Sequence, residues 1–478
     1  MVLKFGGAAA AICYSLCGAG ALAQLSELEQ VRGPHAAAID AIFADYGAAT
    51  PGCAVAVDHY HEILHLDGYG MADLEQDVPI SARSVFYAGS VSKQVVAMAA
   101  MILDRQGRID LDAPVRRHLP ALPAYADRTT VRQLLHHTSG IRDYFVLFRL
   151  AGLAPGVVIT EDMIMAMLAQ QQGLNFTPGE KWAYSNSAYF LISQIVKAVD
   201  GRELDAFAQE HIFGRLGMAH SRFQHNHRRL IKGKAHGYEP QADGDYLLAD
   251  STLDVVGSGG MYTTVLDLIR WDRNFYGSVL EGGQGVIEEM ETSAELNSGE
   301  PTQYGIALSL RPYRGLRRIS HGGALAGYRA MLQRFPDQEF TAAILCNSSE
   351  AAPQEYANAI ADIFLAGMFS EDPAEPRAAP PPDEGESAFA ELDPSSYAGR
   401  YYSPEVDNTL TVAPAGNGVR LLGAALDDEI LTPAGADRFK SSEYGFTVSF
   451  SRDATGRPAA FIYDGSRVAA LRFDRVAD

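Results

Sequence analysis

The fold class is decided by residues 317–347, which read RRISHGGALAGYRAMLQRFPDQEFTAAILCN. This stretch holds half of the strand-like runs in the long N-terminal part of the chain, which lie near 52–58, 62–69, 304–311, 317–322, 328–335 and 340–347. Residues from about 90 to 270 carry helical patterns instead. Strands from both ends of this segment predict an α/β (α+β) fold, with one antiparallel sheet beside a helical insertion. A cleft between the two is the expected substrate site.

The chain divides into four segments by composition. Residues 1–23 are predicted to be a signal peptide, and residues 24–370 carry the mixed strand and helix patterns. Residues 371–388 are rich in Pro, Ala and Glu, which is typical of a semi-rigid linker. Short alternating runs separated by turn dipeptides fill residues 389–478. Their spacing predicts a small antiparallel β-barrel or sandwich.

The first segment indicates export. Lys4 precedes an apolar run rich in Ala and Gly, which ends in the cleavage pattern Ala21-Leu22-Ala23. Cleavage after Ala23 would give a periplasmic or secreted protein. The alternative is an uncleaved membrane anchor, which is disfavoured because Ala and Gly contribute little transfer free energy.

Charge narrows the range of partners. The 478 residues carry a formal net charge of −20, with 47% hydrophobic and 21% charged residues. This profile is typical of a soluble protein with a sizeable core. Its negative field would repel phosphates, so nucleic acid and anionic membrane surfaces are not expected partners.

Cysteines and histidines do not suggest a metal or redox site. Export permits a disulfide, but we expect Cys53 and Cys346, each inside a strand-like run, to be two buried free thiols. No carboxylate pattern completes a site around His59, His61 and His65, which we interpret as surface histidines. No nucleotide-binding or metalloprotease motif occurs, so no cofactor is expected.

Ser90 is the candidate nucleophile, because it opens the motif Ser90-Val91-Ser92-Lys93 at the start of a helical run. A serine here is commonly a helix N-cap. Lys93, however, shares its helix face and, as a cation in the first turn, opposes the helix macrodipole. Burial would lower the pKa of this lysine and favour the neutral amine, which can accept a proton. The pair therefore suggests acyl transfer through Ser90.

Tyr184-Ser185-Asn186 is the second motif. In an extended segment Tyr184 and Asn186 point to the same side. A phenol near Lys93 could relay a proton between Ser90 and the leaving group. Asn186 would either orient Lys93 or hold a substrate carbonyl. The alternative is a loop tyrosine followed by a helix-capping asparagine.

His321-Gly322-Gly323-Ala324 is the third motif, at the end of a strand-like run. Glycines there let a substrate backbone approach the strand edge and hydrogen-bond to it. The backbone N–H groups of Ser90 and Ala324 would then form an oxyanion hole. The alternative is an ordinary glycine-rich turn.

The three motifs together resemble the serine β-lactamase and penicillin-binding superfamily, which includes class C β-lactamases, D-aminopeptidases, DD-carboxypeptidases and related esterases. The likeness covers nearly all of residues 30–368. It implies a β-lactamase/transpeptidase-like antiparallel sheet flanked by helices, with an all-helical subdomain. It also implies that Ser90 is the nucleophile, Lys93 its activator, Tyr184 the proton shuttle and Asn186 a positioning group.

The third motif departs from part of this superfamily. His321 precedes the substrate-positioning Gly322 and Gly323, where class C β-lactamases and DD-carboxypeptidases carry Lys. A histidine is mostly neutral near pH 7, so selection for a free carboxylate is not expected. His here resembles the D-aminopeptidase and esterase branches. Residues 389–478 resemble the lipocalin-like domains of some D-aminopeptidase-type peptidases, most clearly at 397–401.

Four functions compete. We expect an exported hydrolase of amide or peptide bonds in D-amino-acid-containing substrates. A carboxylesterase on the same scaffold is an alternative, and a β-lactamase or DD-carboxypeptidase is another that His321 disfavours. The set of Ser90, Lys93 and Tyr184 argues against a non-catalytic penicillin-binding sensor or scaffold. The expected partner is a small peptide, amide or ester, and the oligomeric state is left open.

Overall fold

A computed structural model describes residues 28–370, 393–426 and 430–477. The predicted signal peptide, 1–23, and the predicted linker, 371–388, lie outside the described residues. Within these three ranges, no helix has the length and apolar character needed to cross a bilayer.

The described helices and strands are numbered in chain order. The α-helices are α1 (Ala36–Ile42), α2 (Lys93–Arg105), α3 (Val131–Leu135), α4 (Tyr144–Leu150), α5 (Glu161–Gln170), α6 (Asn186–Asp200), α7 (Leu204–Ala208), α8 (Gly214–Leu216), α9 (Val265–Arg273), α10 (Gly283–Met290) and α11 (Pro353–Phe364). The strands of the larger segment are β1 (Val31–Arg32), β2 (Cys53–His59), β3 (Glu62–Tyr69), β4 (Met71–Asp73), β5 (Val78–Pro79), β6 (Phe86–Tyr87), β7 (Ile159–Thr160), β8 (Arg222–Phe223), β9 (Tyr238–Pro240), β10 (Tyr246–Leu248), β11 (Leu253–Asp254), β12 (Met261–Thr263), β13 (Ile319–Leu325), β14 (Tyr328–Phe335) and β15 (Phe340–Cys346). Those of the C-terminal segment are β16 (Gly399–Ser403), β17 (Asn408–Ala415), β18 (Gly418–Leu422), β19 (Thr432–Gly435), β20 (Arg438–Lys440), β21 (Thr447–Arg452), β22 (Pro458–Asp464) and β23 (Leu471–Arg475).

One antiparallel sheet, in the order β1-β3-β2-β15-β14-β13, combines strands from both ends of the larger segment. Its central strands β2 and β15 are mostly apolar and are buried along nearly their whole length, because both faces of the sheet are covered. On β2, Val55 and Val57 face α1 and α11, whereas Ala54 and Ala56 face the core shared with the helical insertion. The predicted fold class is therefore confirmed.

Two local predictions differ from the structure. Residues 304–311 do not form a strand, because Gln303 and Ala307 adopt positive φ angles of 56° and 58° that interrupt the extended backbone. Only isolated bridges remain there, such as Tyr304 with Ser309. The helical middle of the segment also contains the short strands β7 to β12.

The C-terminal strands form one eight-stranded sheet in the order β18-β17-β16-β23-β22-β21-β20-β19. Val419 and Leu431 exchange backbone hydrogen bonds of 3.1 and 2.8 Å, which nearly closes the sheet into a barrel. Its interior is filled by aromatic side chains, and the rings of Phe461 and Phe473 stack at 4.8 Å. The barrel core is therefore packed by its own side chains.

An ion pair joins the barrel to the larger domain. Arg142 Nη1 donates to Glu405 at 2.5 Å, and the two side chains are only 3% and 9% exposed. Arg142 also donates to the carbonyl of Ala470 at 3.0 Å. A buried charge left without its partner is costly, so these contacts favour one docked position of the barrel.

Cys53 and Cys346 form a disulfide, which corrects the expectation of two free thiols. The two residues are directly opposite each other on β2 and β15, and both side chains are buried. Their separation of 293 residues conceals this pairing in the sequence. The bond ties the first long strand of the sheet to the last.

Removing this disulfide should destabilise the large domain. We expect Cys53→Ala/Cys346→Ala to lower the free energy of unfolding by about 2–4 kcal/mol, because the unfolded chain regains the freedom of a long loop. Urea titration followed by the fluorescence of Trp182 and Trp271, which both lie in this domain, would measure the change. A reductant should destabilise the wild type and leave the double variant unchanged. Equal midpoints for the double variant and the oxidised wild type would contradict the prediction.

Candidate active site

Ser90 lies in a tight turn against the sheet edge. Gly89–Ser92 forms a 3₁₀ turn that runs directly into α2, so Ser90 does not cap the helix. Gly89 has a φ of 53°, and a Cβ there would lie 2.7 Å from the backbone nitrogen of Ala324. A Cβ on Gly323 would lie 2.0 Å from the carbonyl oxygen of Ala88. Glycine at both positions therefore lets β13 approach the nucleophile turn.

Lys93 is fully buried beneath Ser90. Its Nζ donates to Ser90 Oγ at 3.0 Å and to Asn186 Oδ1 at 2.9 Å, and also to the backbone carbonyl of Ser258. Three acceptors match the three protons of an ammonium group. The Lys93 nitrogen is thus held within hydrogen-bond distance of the Ser90 hydroxyl that it would deprotonate.

Burial is the main cause that lowers the pKa of Lys93 to about 7; the charge of Asp143 opposes this shift, and the charge of Arg467 adds to it. A lysine with its ordinary pKa would stay protonated at neutral pH. The neutral amine is therefore accessible here and can take the Ser90 proton.

Activity should rise with pH because the protonated form of Lys93 cannot act as a base. We expect kcat/KM to fall as pH drops through about 7, where the amine gains its proton. Asp143→Asn should move this limb to lower pH, since the Asp143 charge raises the pKa of Lys93. A pH–rate profile with an ester substrate measures both effects. Asp453→Asn, an exposed change on the barrel, is the control, and a limb that shifts upward in Asp143→Asn would contradict this assignment.

Tyr184 lies beside both reacting groups. Its ring is 5.0 Å from Lys93 Nζ. Burial raises the pKa of Tyr184, and a hydrogen bond with Ser90 partly opposes that shift. The phenol is therefore neutral near pH 7 and has a proton to donate.

Asn186 connects Lys93 to a residue that sequence reasoning missed. Its backbone N–H and its Nδ2 both donate to Asp143 Oδ2, at 2.7 and 2.8 Å. Ser185, rather than Asn186, caps α6 by accepting from Ala188 N. Asn186 therefore orients Lys93. The only signal for Asp143 in the sequence was its position ahead of α4, which it caps.

His321 lies in the cleft wall as an uncharged ring. Tyr304 OH lies 3.0 Å from its Nε2, and Nδ1 lies 2.7 Å from the carbonyl oxygen of Gly322. These contacts fit a neutral tautomer that donates through Nδ1 and accepts at Nε2. Burial, followed by the charge of Lys93, lowers the pKa of His321 to about 4. The residue therefore supplies no cation at neutral pH.

The cleft has a volume of about 1080 Å³ and contains every residue predicted for the site except Lys93, which lies beneath its floor. Gly322, Gly323 and Ala324 form one wall beside Ser90. The structure thus brings the Ser90 and Ala324 backbones to the same part of the cleft. Its lining also includes Ser466 and Arg467 from the barrel, for which the sequence offered no signal.

His65 is buried, contrary to its interpretation as a surface residue. Its Nε2 lies 2.9 Å from Tyr69 OH. Asp40, His65 and Asp67 lie close enough together to hold a metal ion. Arg32 pairs with both carboxylates and supplies the positive charge, so this cluster is an ion-pair network at the sheet edge.

Most of the chain is similar to known proteins. A family model described as Beta-lactamase matches residues 39–366. Penicillin-binding protein 4* of Bacillus subtilis (strain 168) is 28% identical over 432 residues, which cover 86% of this chain and 92% of that protein. A D-aminopeptidase of Brucella anthropi is 28% identical over 326 residues, which cover 67% of this chain and 60% of that one, under two thirds of its length. The octameric penicillin-binding protein homologue from Pyrococcus abyssi shares the fold, with a TM-score of 0.61, 22% identity and coverage of 95% and 99%.

Proposed function

The chain belongs to the Beta-lactamase family and is a serine hydrolase, and from this premise we propose that it is exported and hydrolyses amide or peptide bonds of D-amino-acid-containing substrates. The observation that carries the proposal is the contact of the buried Lys93 Nζ with Ser90 Oγ at 3.0 Å. A low-pKa amine on a serine hydroxyl is the arrangement that activates a nucleophile.

Acylation follows from these contacts. Ser90 Oγ attacks the substrate carbonyl carbon as its proton passes to Lys93. The Ser90 and Ala324 N–H groups stabilise the oxyanion. The C–N bond breaks as Tyr184 donates a proton to the leaving amine, and Lys93 returns a proton to Tyr184. Water then attacks the acyl-enzyme by the same route and releases the acid and free Ser90.

The preference for D-residues is supported by the D-aminopeptidase of Brucella anthropi among the relatives. The uncharged His321 supports the same branch of the superfamily, because its pKa of about 4 leaves the wall without the cation of a lysine. Export is supported by the predicted signal peptide and by the buried disulfide of Cys53 and Cys346, a bond that persists in oxidising compartments.

A substrate panel tests the proposal. D-amino-acid amides, D-Ala-D-Ala peptides, nitrocefin and p-nitrophenyl esters would be compared with their L-counterparts where these exist. We expect turnover of D-amides and a fluorophosphonate adduct on the peptide that contains Ser90. Hydrolysis of esters alone would favour the carboxylesterase alternative, and an adduct on another residue would refute the nucleophile.

Tyr184→Phe should separate amide from ester chemistry. The phenyl ring keeps the packing on Lys93 but cannot protonate a leaving amine, which amides need more than esters do. We expect kcat/KM to fall about 100- to 1000-fold for an amide. For the matching p-nitrophenyl ester, the factor by which kcat/KM falls should be at least tenfold smaller. The buried Tyr189, which also lies near Lys93 and donates instead to Leu135 O, offers Tyr189→Phe as the control. An equal loss with both substrates would exclude Tyr184 as the proton donor.

A further inference from the structure

His137 holds the backbone on both sides of Tyr184. Ala183 N donates to the carbonyl oxygen of His137 at 2.9 Å, and Ser185 N donates to its ring Nδ1 at 3.1 Å. These two N–H groups lie just before and just after the tyrosine in the chain. Because both bonds end on one residue, they limit how far the Tyr184 phenol can move relative to Ser90.

The His137 ring also packs against the tyrosine itself. The centres of the two rings are 4.3 Å apart, and their planes are tilted by 38°. Three more aromatic rings surround the histidine, those of Tyr189, Tyr304 and Trp182, at 5.0, 5.2 and 6.1 Å. The histidine is fully buried, so its ring cannot move without displacing these closely packed neighbours. Tyr184 therefore lies against a rigid support.

The contact with Ser185 N requires a neutral ring with a free lone pair on Nδ1. Burial, followed by the charge of Lys93, holds the pKa of His137 well below its ordinary value, so the ring is neutral at pH 7. Accepting at Nδ1 places the ring proton on Nε2. Nε2 has no hydrogen-bond partner among the described residues. The contact that fixes the tautomer of His137 is therefore the one beside Tyr184.

The backbone of His137 is in the left-handed region, with a φ of 59°. This conformation is uncommon for residues other than glycine, and it is kept only where the surrounding structure holds it. Here the carbonyl group and the ring of a single residue both reach the segment that carries Tyr184. Backbone strain of this kind is concentrated at functional sites.

We propose that His137 is a positioning residue for the proton transfer by Tyr184, since its carbonyl and Nδ1 hold the peptide groups on either side of the tyrosine while its ring supports the phenol. This inference rests on the proposed acyl-enzyme chemistry, in which Tyr184 protonates the leaving amine. His137 is buried behind the cleft lining and transfers no proton itself. Its loss should therefore affect amides more than esters, as the loss of the phenol does.

His137→Phe tests the proposal, because it keeps an aromatic ring and removes the Nδ1 acceptor. We expect kcat/KM for a D-amino-acid amide to fall about 10- to 100-fold, since a small misplacement of a catalytic group costs that much. For the matching p-nitrophenyl ester, the factor should be at least about threefold smaller, because this leaving group needs less protonation. His137→Asn should recover most of the amide activity, because its Oδ1 can accept from Ser185 N and Asn tolerates a positive φ.

A double variant distinguishes positioning of Tyr184 from a general structural role. If His137 acts through the phenol, adding His137→Phe to Tyr184→Phe should lower amide hydrolysis by less than about threefold, because the group that it positions is already absent. Independent effects would multiply, and a multiplied loss would overturn the inference. Equal losses with amide and ester in His137→Phe, or an Asn variant as impaired as the Phe variant, would overturn it as well.

His136→Phe is the matched control. His136 is the adjacent residue, is also buried, and hydrogen-bonds with the backbone of Gly305 instead. This variant should keep the wild-type ratio of amide to ester turnover, and the same change of ratio as in His137→Phe would contradict the assignment to His137. Equal losses with amide and ester in Tyr184→Phe would instead refute the role of Tyr184 in the proposed function.

A second variant covers the case in which His137→Phe does not fold. His137→Gln keeps a polar side chain, but its longer stem carries the amide oxygen toward the position of Nε2 and away from Nδ1. We expect it to lower the ratio of amide to ester turnover where His137→Asn does not. A wild-type ratio in a folded Gln variant, with the fold checked by circular dichroism, would overturn the inference.

Discussion

Ser90→Ala should lower kcat by at least about 10⁴-fold on any substrate that the protein turns over, because no acyl-enzyme can form without the hydroxyl. The residual rate would come from the oxyanion donors and from substrate binding alone. Steady-state kinetics and intact-protein mass spectrometry measure the loss of turnover and of the acyl adduct together.

Ser92→Ala is the matched control for this result. Its hydroxyl lies in the same turn but donates to the carbonyl of Gly89 at 2.7 Å, away from Lys93. We expect a loss of stability with most of the turnover retained. Retention of activity in Ser90→Ala, or equal losses in the two variants, would show that the reaction does not pass through Ser90.

Lys93→Met should lower kcat by about 10³- to 10⁴-fold, the range that a positioned general base provides. Methionine approximates the buried stem of Lys93 and removes the amine that contacts Ser90 and Asn186. Single-turnover kinetics with an activated ester measure the acylation step directly.

Lys93→Arg distinguishes a base from a fixed positive charge. Arginine keeps the cation but does not lose its proton in proteins, so it cannot accept one from Ser90. We therefore expect Lys93→Arg to be about as inactive as Lys93→Met. An arginine variant within tenfold of the wild type would show that charge at this position, and not proton transfer, supports the reaction. Circular dichroism of both variants would confirm that the fold is retained.

Much of the sheet was predictable because it depends on local patterns. Strands β13, β14 and β15 lie at or within a few residues of their predicted positions. The strand predicted at 304–311 does not form, because Gln303 and Ala307 adopt positive φ angles. Neither residue type indicates such a conformation in the sequence. Apolar content alone therefore overestimated the number of strands.

The sequence predicted residues that the structure brings together in one cleft, but not the residues that support them. Ser90, Lys93 and Tyr184 belong to short motifs whose residue types already imply a nucleophile, a base and a shuttle. Asp143 was missed because it acts through Asn186, and its own sequence context indicates only a helix cap. Residues that act through another side chain do not follow a fixed spacing along the sequence.

The sequence by itself determined the family and the sheet and predicted the candidate reacting groups, since each depends on periodicity or on residues close along the chain. Only the tertiary structure decided the disulfide of Cys53 with Cys346, the burial that brings the pKa of Lys93 to about 7, and the entry of Arg467 into the cleft. Each of these arises where distant segments meet, and desolvation and charge act through space. For that reason the Ser-Lys-Tyr motifs alone do not reveal which side chains line the cleft around them.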